Sequence, residues 1–149
     1  MIIAVDFDGT IVEHEYPRIG RPIPFALEVL RKLQLERHLL ILWTVRDGTL
    51  LDEAVDFCAK NGVNFYAVNK NYPEEQEGDN PRKLTADVFI DDKNIGGLPE
   101  WGVIYKAILS GNSNFQDMDD YLSDNNRPKR KKNLFLRIGE AWEDSKKYK

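Results

Sequence analysis

The sequence predicts a doubly wound α/β domain: a three-layer sandwich around a central, mostly parallel sheet. Three observations lead there. Ile2–Val5 and Leu39–Trp43 are too uniformly apolar for strands with one wet face, so they read as strands covered on both sides. Segments with helical periodicity alternate with them. Carboxylates stand at the ends of two different apolar runs, where open α/β sheets place their active sites.

The first run, Ile2–Val5, ends in Asp6-Phe7-Asp8-Gly9-Thr10. Asp8-Gly9-Thr10 alone would serve as a turn, but Asp6 has no turn role. Two acids one residue apart repel unless a cation or a proton intervenes. The loop Ile11–Pro24 follows, punctuated by Pro17, Gly20, Pro22 and Pro24. Ala26, Val29, Leu30 and Leu33 then recur at i, i+3, i+4 and i+7, which marks an amphipathic helix.

Leu39–Trp43 is the second strand and Thr44 follows it. Thr49 is placed to cap the next helix, with Asp52 three residues on. Leu51, Ala54, Val55 and Cys58 form that helix's apolar stripe, and Asn61-Gly62 stops it. Val63–Val68 reads as a third strand, and residues 69–81 as a polar loop rich in turn formers. Ala86–Ile90 is a fourth strand, ending in Asp91-Asp92. Pro99 opens a short helix to about Leu109, closed by Ser110-Gly111-Asn112. The first strand belongs at the centre of the sheet.

The core is therefore expected over residues 1–110, and residues 111–149 form a linker and a terminal helix. The linker is acidic through Asp117, Asp119, Asp120 and Asp124, then basic over residues 127–132. Asn133 can cap a last helix with Leu134, Phe135, Ile138, Ala141 and Trp142 on one side. Such a helix would dock on the sheet or on a second subunit, which makes a homodimer an expected assembly. The basic run reads as a solvated linker, with nucleic-acid contact as the alternative.

A chain of 149 residues with 21 Lys+Arg against 25 Asp+Glu, net charge −4, points to no polyanionic partner. One cysteine, Cys58, excludes a disulfide framework and reads as a buried small hydrophobe. No apolar stretch approaches the ~18 residues of a membrane span. The apolar N-terminal run lacks the basic flank of a signal peptide, so a cytoplasmic location is expected.

Parallel strands would bring Asp6, Asp8, Asp91 and Asp92 to one rim. Thr44, Arg46 and Lys83 fall at the same edge. Four acids, a hydroxyl and two cations at one sheet edge make a Mg²⁺ site next to an anion site.

This set resembles the haloacid dehalogenase superfamily of phosphotransferases. Its first motif, an apolar strand followed by Asp-x-Asp-Gly-Thr, is matched by Asp6 to Thr10. The second, a strand ending in Thr or Ser, is matched by Ile41-Leu42-Trp43-Thr44. The third, a Lys or Arg ahead of the last core strand, is best met by Lys83, with Lys70 as the competitor. The fourth, a strand ending in paired acids, is matched by Val88-Phe89-Ile90-Asp91-Asp92. The likeness covers residues 2 to about 110 and implies a Rossmann-like sheet.

The resemblance implies a phosphatase mechanism. Asp6 would be the nucleophile that forms an aspartyl-phosphate. Asp8 would be general acid and then base. An acid at that position favours phosphate esters over carbon–halogen bonds. Mg²⁺ would be held by the Asp6 carboxylate, the Asp8 carbonyl and Asp92, with Asp91 beside it. Thr44 and the backbone N–H groups of Phe7 and Asp8 would bind phosphoryl oxygens. Lys83 would neutralise the developing charge. Arg46 would bind a phosphate or pair with Asp47 or Asp52. Lys93 reads as a surface ion pair, and His14 and His38 as a loop and a structural residue.

Neither gap between motifs has room for a cap domain of about 60 residues or more, so the site is expected to be open. The loops over residues 13–24 and 69–80 would form its rim. The expected substrate is a small phosphorylated metabolite. The alternative is a nucleic-acid 3′-phosphate end, since Asp91-Asp92-Lys93 and Thr44-x-Arg46 are similar to the phosphatase domain of polynucleotide kinase-phosphatases. A binding module that keeps the fold without catalysis is the third reading.

Overall fold

The computed structural model describes residues 1–75 and 83–111. All of them belong to the first of two units into which the chain divides, Met1–Ser113. The expected terminal helix and the basic run at 127–132 lie outside the described residues.

The elements, in order, are β1 (Ile2–Val5), α1 (Ala26–Leu35), β2 (Leu39–Leu42), α2 (Gly48–Lys60), β3 (Ala67–Val68), β4 (Val88–Ile90) and α3 (Trp101–Leu109). The four strands form one parallel sheet in the order β3-β2-β1-β4. Two inner strands, β1 and β2, are thus paired on both edges, and the acid-tipped β1 pairs with β4. The registers Val5↔Leu42 and Val5↔Ile90 bring the ends of β1, β2 and β4 level. That is why Asp6, Trp43-Thr44 and Asp91-Asp92 emerge at one edge.

Side chains alternate across the sheet, as they must. Ile3, Val5, Leu40 and Leu42 face the main core, together with Leu30 and Leu33 of α1, Ala54 and Cys58 of α2, and Trp101, Ile104 and Ile108 of α3. All three helices therefore contribute to the same face. The opposite face carries a smaller cluster of Ala4, Ile41, Ala67 and Leu84, with Ile2, Trp43 and Phe89 packed against it. The α/β class, the parallel sheet and the central β1 match the expectation, and no cap domain is evident among the described residues.

Several local boundaries differ. β2 ends at Leu42 rather than Trp43, and α3 begins at Trp101, two residues after Pro99. β3 begins at Ala67 rather than Val63, because the preceding residues are held elsewhere: the Val63 N–H bonds the Cys58 carbonyl at 2.9 Å and the Asn64 N–H bonds Gln34 Oε1 at 2.6 Å. β4 begins at Val88, because the Asp87 side chain takes the Ile2 N–H at 2.7 Å. Asp47, not Thr49, is the N-cap of α2; Thr49 is already inside the helix, and the Asp47 side chain makes no cap bond. Asn61 closes that helix as expected, with Gly62 at φ 78° beyond it.

Candidate active site

The chain leaving β1 makes one more ladder bond, from Asp6 N–H to the Ile90 carbonyl at 3.0 Å, which sets Asp6 beside the end of β4. It then turns tightly, with the Ile11 and Val12 N–H groups both bonding the Phe7 carbonyl. Gly9 sits in this turn at φ +86°, and a Cβ there would lie 2.6 Å from Asp92 Oδ2. Only glycine allows both the left-handed backbone and the close approach of the fourth-strand acid.

Thr10 ties the acids together. It is fully buried; its hydroxyl lies 3.5 Å from Asp6 Oδ2 and accepts the Asp92 N–H at 3.0 Å. Its carbonyl accepts the indole N–H of Trp101 at 3.1 Å, so α3 is fastened to the same turn. Thr10 belongs to the first motif but no contact of its own was assigned from sequence; its placement between the acids depends on tertiary pairing.

Asp6, Asp91 and Asp92 converge: one carboxylate oxygen from each lies within 4.8 Å of the others. Burial pushes the Asp6 pKa up from 3.8 to about 6; a hydrogen bond from the Phe7 backbone opposes this, and the charges of Asp91, Asp92 and Asp8 add to it. Asp92 Oδ1 is buried and has no hydrogen-bond partner among the described residues. Asp92 Oδ2 meets the Lys93 ammonium at 2.5 Å, and this hydrogen bond, with the charge of Asp92, raises the Lys93 pKa. Buried oxygens are normally satisfied, and three carboxylates crowded together need positive charge. The donor set is all hard oxygen, which fits a divalent cation of the Mg²⁺ or Ca²⁺ kind.

Asp8 does not join this cluster with its side chain. Its two carboxylate oxygens accept Arg46 Nε–H and Nη2–H, each at 2.7 Å, and the Arg46 side chain is wholly buried. The same guanidinium donates to the Pro17 and Arg18 carbonyls at 2.9 Å and stacks near the rings of Phe7 and Tyr16. The hydrogen bonds to Asp8 raise the Arg46 pKa. The expectation that Arg46 binds a substrate phosphate or pairs with Asp47 or Asp52 is corrected here. Its Nε, Nη1 and Nη2 all have partners within the protein, and its acidic partner is Asp8.

Thr44 is half-buried at the end of β2. Its N–H bonds Asn69 Oδ1 at 2.8 Å, and its hydroxyl oxygen accepts the Arg46 N–H at 3.3 Å. Its hydroxyl hydrogen has no acceptor among the described residues, as a phosphoryl contact requires. Asn69, the first residue of the polar loop, holds this segment from a left-handed backbone at φ 52° just after β3.

Neither expected third-motif cation touches the acids. The Lys83 ammonium is 5.5 Å from the Phe89 ring centroid, and Lys70 bonds the Pro73 carbonyl. Lys93, read from sequence as a surface pair, is the ammonium found at the cluster.

The rim loop closes on itself. The Glu13 N–H bonds the Arg21 carbonyl at 2.8 Å, and the Arg21 side chain bonds Glu13 Oε2 at 3.1 Å. A Cβ at Gly20 would lie 2.0 Å from the Glu13 carbonyl oxygen, so the two arms touch at this neck.

No protein-family model and no curated protein matches the chain. A solved structure does: the conserved protein coded by a locus from Bacteroides thetaiotaomicron is similar at 61% identity and a TM-score of 0.74, over 79% of this chain and 96% of that one.

Proposed function

The chain belongs to the family of this conserved Bacteroides thetaiotaomicron protein, and from its site we propose that it is a divalent-metal-dependent phosphate monoester hydrolase. The proposal includes membership of the haloacid dehalogenase superfamily, as a capless member, with Mg²⁺ as the metal and a small phosphorylated molecule as substrate. The observation that carries it is the convergence of Asp6, Asp91 and Asp92 within 4.8 Å, with a buried oxygen on Asp92 that has no partner among the described residues.

Asp6 and Asp92 would hold the cation, with Asp91 and the Asp8 carbonyl beside them. When bound, Mg²⁺ supplies the charge that lets a carboxylate and a phosphate dianion approach. Asp6 is the nucleophile: it lies at the mouth of the central strand, fixed by its ladder bond to β4. Its carboxylate attacks phosphorus, the bond to the leaving oxygen breaks, and water then releases phosphate from the aspartyl group. The unshared Thr44 hydroxyl hydrogen donates to a phosphoryl oxygen. Lys93 adds positive charge beside the acids. The first, second and fourth motifs on three level strand ends support this reading over a binding module.

Phosphate release from a panel of esters, with and without Mg²⁺ and alongside Asp6→Asn, tests it. Release that needs both the metal and Asp6 is expected. Equal release by Asp6→Asn would remove the covalent route, and no release from any ester would remove the hydrolase assignment.

A further inference from the structure

We infer that the organic part of the substrate is apolar: the site takes phosphate monoesters of alkyl or arylalkyl alcohols in preference to those of sugars and polyols. This rests on the hydrolase reading above and deepens it.

The four strands run parallel, so the loops that leave their carboxyl ends all start at the edge where the acids stand. Each of these loops carries an exposed large apolar side chain: Tyr16 after β1, Val45 after β2, Tyr72 after β3 and Ile95 after β4. Three of them are close to site residues along the chain. Val45 is next to Thr44, Ile95 is three residues past Asp92, and Tyr72 is three past Asn69, spans of about 11 Å at most. Tyr16 is placed by its ring, 5.3 Å from the buried Arg46 guanidinium.

Arg46 and three asparagines of the same loops turn the other way. Arg46 is engaged by Asp8 and by the Pro17 and Arg18 carbonyls. Asn69 Oδ1 takes the Thr44 N–H at 2.8 Å, and Asn71 Oδ1 takes the Thr85 N–H at 2.7 Å. The Asn94 amide donates back to the Phe89 carbonyl at 3.5 Å. Amides and guanidinium groups are what a site built for sugar hydroxyls would aim at its ligand. Here they tie the loops together, and the apolar side chains face outward.

Two of the apolar groups are held out on fixed backbone. Val45 lies between pinned neighbours, since Asn69 holds the Thr44 N–H and the Thr44 hydroxyl holds the Arg46 N–H at 3.3 Å. Its side chain is nonetheless 88% exposed. Ile95 stands in a turn closed by the Gly97 N–H on the Asn94 carbonyl at 2.8 Å, and the Lys93 N–H on Asp91 Oδ1 at 2.7 Å anchors that turn to the acid pair. A Cβ at Gly96 or Gly97 would meet nothing within 4 Å, so the turn stands clear of its surroundings and Ile95 is wholly exposed. Side chains this exposed bury nothing in the fold. Being β-branched and set on ordered backbone, they have little freedom to lose when an apolar group covers them.

The test is kcat/KM of the full chain with Mg²⁺ for n-alkyl phosphates from ethyl to hexyl. Glycerol 3-phosphate and a hexose 6-phosphate are the polar members, and 3-phenylpropyl phosphate is the aromatic one. All leave as primary alkoxides of similar basicity, so the series reads contact with the organic part rather than the ease of bond breaking. A rise of about two- to fourfold per methylene is expected, the upper value being that of a fully buried one, with hexyl phosphate at least about tenfold above the polar members. Ile95→Ser and Val45→Ser, both at exposed positions, should each lower the hexyl-to-ethyl ratio at least about threefold. A 3-phenylpropyl ester above the hexyl ester would assign an aromatic group, and one below it an aliphatic group. A flat Asp6-dependent series, polar members equal to hexyl phosphate, or a ratio that neither variant lowers would overturn this inference and leave the hydrolase standing. No Asp6-dependent release from any member would overturn both.

Discussion

Arg46 and Asp8, thirty-eight residues apart in sequence, form a closed two-bond ion pair inside the protein. Removing one partner of such a pair leaves the other charged and unsolvated, which costs more than the pair contributed. Arg46→Met is therefore expected to lower unfolding stability by about 3–5 kcal/mol. Arg46→Lys should recover only part of it, because an ammonium lacks the planar fork. Urea midpoints of the two variants against the parent check this; an unchanged midpoint for Arg46→Met would show that the pair carries no stability.

Gly9→Ala should damage the site without touching a carboxylate. The new methyl meets Asp92 Oδ2 at 2.6 Å, on a backbone at φ +86°. A stability loss of about 1–3 kcal/mol is expected from the strained backbone. Divalent-cation affinity should fall at least tenfold as Asp92 moves away. Titration calorimetry with Mg²⁺ reads the second effect directly.

Lys93→Ala should do the reverse for the cation. The ammonium sits 2.5 Å from Asp92 Oδ2, on the carboxylate whose other oxygen has no partner among the described residues. Removing it takes away a competing positive charge, and Mg²⁺ affinity is expected to rise by a factor of about three to ten, in line with the modest strength of exposed ion pairs. The same calorimetric titration decides it, and weaker binding would mean that Lys93 orients Asp92.

The Asp6 carboxyl gives the metal-free protein a pH dependence of definite sign. Its pKa is about 6 in the folded chain against an ordinary 3.8, so between those values the folded state holds the proton and the unfolded state has lost it. Stability then falls as pH rises through this window and levels off above it. In chelator, Asp6→Asn should be more stable than the parent at pH 7 and should lack this step. Thermal melts from pH 4 to pH 8 are the measurement.

Cys58 should be inert. It is fully buried in the core face of α2, and burial pushes its thiol up to about 12. At pH 8 a thiol reagent is expected to leave it unlabelled in the native protein and to react fully in denaturant.

What the sequence revealed depends on range. The apolar runs and their acidic ends are local signals, so β1, β2, β4 and the convergence of Asp6 with Asp91 and Asp92 could be read from spacing alone. The helix stripes were equally local. The partner of Arg46 was not: Asp8 lies on a different strand end, and two nearer acids, Asp47 and Asp52, were the obvious choices. Lys83 and Lys93 show the same limit. Each is placed by the path of its loop, which sequence periodicity does not describe. The start of β3 was missed because Gln34, on another helix, takes a hydrogen bond that the strand pattern would have given to its neighbour.

The loop between Glu13 and Arg21 is tied at its neck by a backbone bond, an ion pair and the contact at Gly20, and pinned at its tip by Arg46. A rim built this way has already lost its conformational freedom before any ligand arrives. Ordering a mobile loop takes free energy out of every binding event; here that cost was met when the chain folded. Contacts made by this rim go into affinity undiminished, and association there is set by the rate of encounter rather than by the rate of closing.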